Sequence, residues 1–225
     1  MRNFSLWFNR PRRNIEYRAL ILNSSSSQYA TASAINSTQP VLFVAWIKPT
    51  GSPVSVSFLG TGTSGSANHR RTLAANASSQ VVAVVQTTAA SSANAGTISD
   101  GSWQHVAGYF GTDTSRYAAL NGTWGSEQTT SRAPNAPNIT MVGTRGDLNA
   151  YFNGKIAFFA IYAPTDFTDA QSIVNDLQTQ APHLVQSGKL RAYWENAKDD
   201  SIGAANLTLI NGATTAADDL PGISV

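Results

Sequence analysis

The chain of 225 residues is 42% hydrophobic but only 12% charged, enough apolar material for a core with about half the usual charge. Cysteine is absent, which excludes a disulfide framework and thiolate chemistry, and no apolar run approaches the roughly 20 residues of a bilayer span. Net charge is +2, unevenly placed: residues 1–18 hold five arginines against Glu16, a balance of +4 that leaves −2 for the remainder.

Residues 1–17 read as a basic docking arm. Arg2, Arg10, Arg12 and Arg13 flank Phe4, Leu6, Trp7 and Phe8, large apolar side chains that a purely solvated tail does not need. Flanked by like charges, these residues cannot form a core alone. They are expected to bury in another subunit, with the arginines on its acidic groups. The Phe4–Phe8 stretch is too short and interrupted for a signal peptide.

From Arg18 the pattern turns to strand. Ala19–Leu22 and Gln28–Thr31 are short strands, and Val41–Pro49 is apolar almost throughout, which predicts a central strand covered on both faces. Val54–Leu59, Arg71–Ala74 and Gln80–Gln86 follow as strands, and Ala89–Ala95 reads as a small-residue loop. Gly60-Thr61-Gly62-Thr63-Ser64-Gly65 matches G-x-G-x-x-G. No helical periodicity follows it, so a flexible hairpin loop is expected rather than a phosphate cradle.

Asp100-Gly101 and Asn121-Gly122 are turn dipeptides that supply positive φ angles, and Trp103 to Tyr109 and Tyr117 to Leu120 are β-prone runs beside them. Tyr151–Ile156 begins a further strand. One segment looks helical: Thr168–Gln171 has capping-box spacing, Ile173, Val174 and Leu177 form an apolar face, and Ala181-Pro182 stops it. Leu190–Trp194 and Asn206–Ala213 read as two closing strands. Many short strands need sheet-on-sheet burial, with Trp46 and Trp103 expected between the sheets.

Catalytic constellations are absent. His105 has no nucleophile or carboxylate beside it in sequence, and His69 and His183 are isolated, with no spacing suited to zinc. G-x-S-x-G is missing. Glu16, Glu127 and Glu195 stand alone, while Asp199-Asp200 and Asp218-Asp219 are adjacent and would point to opposite faces of a strand. Neither arrangement gives the paired carboxylates of a glycoside hydrolase. Arg145-Gly146-Asp147 spells an integrin tripeptide that loop composition accounts for. Trp124, beside the Asn121-Gly122 tip, is a candidate exposed platform for a sugar or a protein partner.

In their order, Trp103-Gln104-His105-Val106-Ala107, the Asn121-Gly122 turn, Phe152-Asn153-Gly154-Lys155-Ile156 and Ala45-Trp46-Ile47-Lys48-Pro49 resemble the laminin-G-like branch of the concanavalin A-like lectins. Leu190–Trp194 and Asn206–Ala213 resemble a closing unit of phage and bacterial members. The resemblance covers residues 18–225. It implies an all-β, jelly-roll β-sandwich with one short helix; the extended N-terminal arm read from residues 1–17 precedes it. It also implies a ligand edge at residues 111–114, 121–125 and 143–149, with Trp124, Asn121, Arg145 and Asp147 as candidate ligand residues and calcium at Asp113 and Asp147. Ala157 replaces the family's acidic residue after Gly-Lys-Ile, which weakens the calcium expectation. The expected function is a non-enzymatic virion module, a capsid decoration, cement or fibre subunit. It would form a homo-oligomer and dock on capsid or tail proteins through its arm. The alternative is a carbohydrate-binding lectin domain that meets a cell-surface glycan.

Overall fold

The computed structural model describes residues 16–35, 38–195, 197–202, 205–217 and 219–225. The arm contacts expected at Arg2, Phe4, Trp7, Phe8, Arg10, Arg12 and Arg13 lie outside the described residues. Tyr17, at the root of that arm, packs its ring on Phe158 at 5.7 Å and on His183 at 6.0 Å.

The first strands are β1 (Ala19–Leu22), β2 (Tyr29–Ser33), β3 (Val41–Pro49), β4 (Ser57–Gly62) and β5 (Arg70–Ala75). Then come β6 (Gln80–Gln86), β7 (Ala90–Thr97), β8 (Gln104–Thr112), β9 (Ser115–Leu120) and β10 (Thr123–Trp124). After β11 (Ile139–Val142) and β12 (Gly154–Tyr162) the helix α1 (Phe167–Asp176) intervenes before β13 (Leu190–Tyr193), β14 (Thr208–Ile210) and β15 (Thr214–Ala216). The first sheet runs β10-β9-β8-β3-β12-β1-β15, with β13 also on β12, and the second runs β14-β2-β11-β4-β5-β6-β7. Every ladder between these strands is antiparallel, giving the jelly-roll sandwich.

The inner faces meet in a core that includes Phe43, Phe58, Phe110, Phe152 and Phe159, all fully buried. Each contributes about 1.5–3 kcal/mol by leaving water. Trp194 lies in the same core, stacked 5.2 Å from Phe159, with its Nε1 donating to the Ala205 carbonyl at 2.9 Å. As its apolar run predicts, β3 sits mid-sheet and is covered on both sides.

The second cover is a third layer that the sequence reading did not foresee. Leu42, Val44, Ala107, Phe158 and Tyr162 point out of the first sheet and are buried by α1 and by residues of the C-terminal segment. Trp46 and Trp103 belong to this outer layer, not to the space between the sheets. Phe43, Ala45 and Ile47 point inward, so period-two alternation sends Trp46 outward. The Trp103 Nε1 donates to the Asp219 carbonyl at 3.0 Å, and the Asp219 carboxylate is gripped by Lys48 at 2.8 Å and Lys155 at 3.0 Å.

Other boundaries also differ. Residues 90–97 are the edge strand β7, not a loop. Asn206–Ala213 holds only β14, which ends at a turn at Asn211-Gly212 and pairs β2 in one sheet, while β15 follows beyond Ala213 and pairs β1 in the other. The helix is capped by Asp166, whose side chain accepts from the Asp169 N–H at 2.9 Å, two residues before the expected Thr168. The Gly60–Gly65 stretch ends β4 and turns toward β5 with no helix after it, as expected.

A candidate binding groove on the second sheet

Strand alternation builds a groove on the outer face of the second sheet. Leu73 and Ala75 of β5 and Val81, Ala83 and Val85 of β6 point into the core, so Arg70, Thr72, Ala74, Val82, Val84 and Gln86 face outward. Register places them in rows: Arg70 opposite Gln86, Thr72 opposite Val84, and Val84 opposite Ser92 of β7. On the β4 side two buried glycines pack closely against this row. A Cβ at Gly60 would lie 3.0 Å from the Thr72 Oγ1, and one at Gly62 only 2.8 Å from the Arg70 Cβ. The loop after β11 forms a wall, anchored where the Ser57 N–H donates to the Ala150 carbonyl at 3.3 Å. The resulting space is about 280 Å³, with an aliphatic floor of Ala74, Val82 and Val84 and a rim of hydroxyl and amide groups.

Two arginines set its charge. Arg70 lines the groove yet is only 6% exposed, and its Nε and Nη1 have no hydrogen-bond partner among the described residues. The Thr72 Oγ1 is buried and likewise unpartnered. Burial first, and then the nearby Arg145 charge, pull the Arg70 guanidinium down to about 10, with Asp147 acting in the opposite direction. Arg145 holds Asp147 in a two-point fork, Nε to Oδ1 and Nη2 to Oδ2, each 2.6 Å. That fork keeps the Asp147 carboxyl below its ordinary range. Two cations thus face one committed anion, and among the described lining residues there is no carboxylate and no aromatic ring.

The residues nominated from sequence do not form one edge. Residues 111–114 and 121–125 lie at opposite ends of β9, separated by about 20 Å at ~3.3 Å per residue. Residues 143–149 belong to the other sheet's loop. Asn121 is a brace in a two-residue turn with φ of 48°, followed by Gly122 at 78°, and its Oδ1 accepts from the His105 N–H at 2.8 Å. The Trp124 ring is half-buried, edge-on to Phe167 at 5.0 Å and to Tyr117 at 6.5 Å, so it is a packing residue rather than an open platform. Asp113 presents its backbone carbonyl to Arg116 Nη2 at 2.9 Å and to the Arg132 N–H at 2.9 Å.

Asp113 and Asp147 therefore do not converge, and Arg145 already occupies both Asp147 oxygens. These two residues do not provide the oxygen-rich cage that calcium requires. Among the described residues no group of three or more His, Asp or Glu side chains could hold a metal ion. Of the nominated set, only Arg145 lines the groove. Arg70 and Thr72 escaped the sequence reading. Their signal was Arg70-Arg71, adjacent in a strand, which forces one guanidinium onto each face.

His105 is the buried strand histidine its context predicted. It lies 5.4 Å from the Trp46 ring, and Gln178 Nε2 donates to its Nδ1 at 2.8 Å. Burial pushes the imidazole down to about 3, whereas the unfolded chain binds that proton near the ordinary 6.5. The folded state thus resists protonation. Stability from this residue is full above about pH 6.5 and declines as pH falls toward about 3, by up to ~1.4 kcal/mol per pH unit. In urea titrations across that window, His105→Gln is expected to flatten the acid slope by close to one proton. An unchanged slope would show that other groups set it.

A profile of the laminin G type, described as the concanavalin A-like lectin/glucanases superfamily, matches residues 5–171. Among solved structures, the native heptameric SAP-like pentraxin from Limulus polyphemus aligns with a TM-score of 0.56 at 10% identity, over 87% of this chain and 95% of that one. Domain 4 of AbnA, an extracellular arabinanase from Geobacillus stearothermophilus solved in complex with arabinotriose, gives 0.56 at 18% identity, over 72% and 76%. Domains LG4-5 of the mouse laminin α1 chain give 0.50 at 13% identity, over 65% and 40%. At such identities the likeness is one of fold. No curated protein sequence matches significantly. The profile spans well over half of the residues, and the two-sheet architecture agrees with it. This chain belongs to the concanavalin A-like lectin/glucanases superfamily.

Proposed function

We propose that this protein is a non-catalytic carbohydrate-binding module whose saccharide lies in the groove on the outer face of the second sheet. The observation that carries this reading is the groove's lining: an aliphatic floor beside hydroxyl, amide and guanidinium groups, with no carboxylate among the described lining residues. Saccharides offer the matching alternation of C–H and O–H faces. A retaining glycosidase would need two carboxyl groups about 5 Å apart, and this lining supplies neither. The arabinotriose held by the Geobacillus domain supports a sugar as ligand for the same fold.

A glycan array probed with the full chain tests the reading, with Ser92→Trp as the control variant. The new indole would fill the groove from the edge strand, so bound glycans should be lost while circular dichroism stays unchanged. Binding that survives Ser92→Trp would place the saccharide elsewhere.

A second reading is favoured by the +4 segment that carries Phe4, Leu6, Trp7 and Phe8. The module would ride on a virus particle as a homo-oligomer, docked through that arm onto capsid or tail protein. Deleting residues 1–15 leaves Tyr17 on Phe158. The shortened chain should fold and no longer co-sediment with its particle. Normal incorporation of the shortened chain would dismiss the docking role.

A further inference from the structure

Building on the glycan-binding reading, we infer that the saccharide is acidic, its carboxylate or sulfate seated against the Arg70 guanidinium and the Thr72 hydroxyl. Arg70 is nine-tenths buried, and both its Nε and Nη1 lack acceptors among the described residues. A buried cation with unmet donors is among the costlier arrangements a fold can hold, because charged donors lose more on leaving water than neutral ones. An anion entering the groove supplies the acceptors and cancels the charge together.

The protein's own anion does not do so. Both Asp147 oxygens are forked by Arg145, so the Arg70–Arg145–Asp147 cluster keeps one net positive charge. Neutral sugars would need another source of affinity. An aromatic face is the largest apolar surface a side chain can offer, and the described lining contains none. Charge-assisted hydrogen bonding is then the strongest interaction this groove can make. Arg70 and Thr72 line the groove beside its floor of Ala74, Val82 and Val84, so an anion entering it meets this end of the lining.

Calorimetric titration of the full chain with matched saccharide pairs tests this. One pair is an oligouronate and its methyl ester, the other a sulfated oligosaccharide and its desulfated form. The acidic member of one pair should bind about tenfold or more tighter than its neutral partner, an advantage that shrinks as salt is added. The pair that shows it identifies carboxylate or sulfate as the recognised group. Arg70→Gln should erase the advantage. Because Arg70 is buried, Val84→Glu serves as a second variant, placing a negative charge on the groove floor with Arg70 retained, and should erase it too. Equal binding of acidic and neutral members overturns the acidic inference while leaving the glycan reading intact, as does a preference that survives both variants. Failure of every saccharide to bind overturns both.

Discussion

Replacing Gly154 with alanine is expected to cost about 3 kcal/mol or more of folding stability, measured as a lowered urea midpoint. Gly154 has φ of +139°, a conformation that strains any residue with a side chain by about 1–3 kcal/mol. A Cβ there would also run into the Lys48 carbonyl oxygen and sit 2.9 Å from the Pro49 Cα, so backbone, not a pliable side chain, must move. Displacing it adds about 1–3 kcal/mol more. Gly154 pairs with Pro49 on one side and Leu22 on the other, so the shift reaches two ladders. Gly188→Ala is the control: nothing lies within 4 Å of its added Cβ, and its effect should stay within about 1 kcal/mol. Equal losses in the two variants would refute the steric account.

Arg116→Met should destabilise the sandwich by a similar or larger amount, about 3–5 kcal/mol. Arg116 is fully buried, pointing between the sheets near the edge of the first. Its guanidinium donates to three carbonyls: Ser91 at 3.4 Å, Asp113 at 2.9 Å, and Thr130. Those acceptors belong to β7, to the β8–β9 turn and to the segment after β10, so one side chain ties three stretches of chain. Exchanging a buried charge for a hydrophobe is often neutral when its partners change as well. Here the carbonyls remain: that of Asp113 keeps the Arg132 N–H, but those of Ser91 and Thr130 lose this donor, and each acceptor left unmet costs about 1–3 kcal/mol. Arg116→Lys, which keeps the charge and some of the donors, should recover part of the loss. A methionine variant as stable as the parent would mean that water replaces the guanidinium at no cost.

The parts of the fold legible in sequence were those with a local cause. The apolar run of β3 and the two positive φ angles at Asn121-Gly122 announce themselves without knowledge of distant partners. β7 did not, because its composition answers to tertiary neighbours. A Cβ at Gly96 would lie 3.0 Å from the Leu120 Cδ2, and one at Gly125 would strike the Asn94 carbonyl oxygen. Such close approach selects small residues that resemble a loop. Trp124 was misjudged for a related reason: the ring that covers it, Phe167, comes from the start of α1. The candidate site was the least legible part. Arg70 and Arg145 are brought together only by pairing of β11 with β4 and of β4 with β5.

The position of β1 governs how the domain can come together in time. Leu20 pairs with Ile156 on one side, and Ala19 pairs with Ala216 on the other. Its two partners are therefore separated from it by about 136 and 197 residues of intervening chain. Closure over such loops carries a large entropic cost before any contact repays it, which places the domain among slow folders of high contact order. β1, although synthesised before both of its partners, has no complete berth until the residues of β15 exist. Folding that follows the order of synthesis cannot finish this sheet, because β1 must wait for β12 on one edge and longer still for β15 on the other.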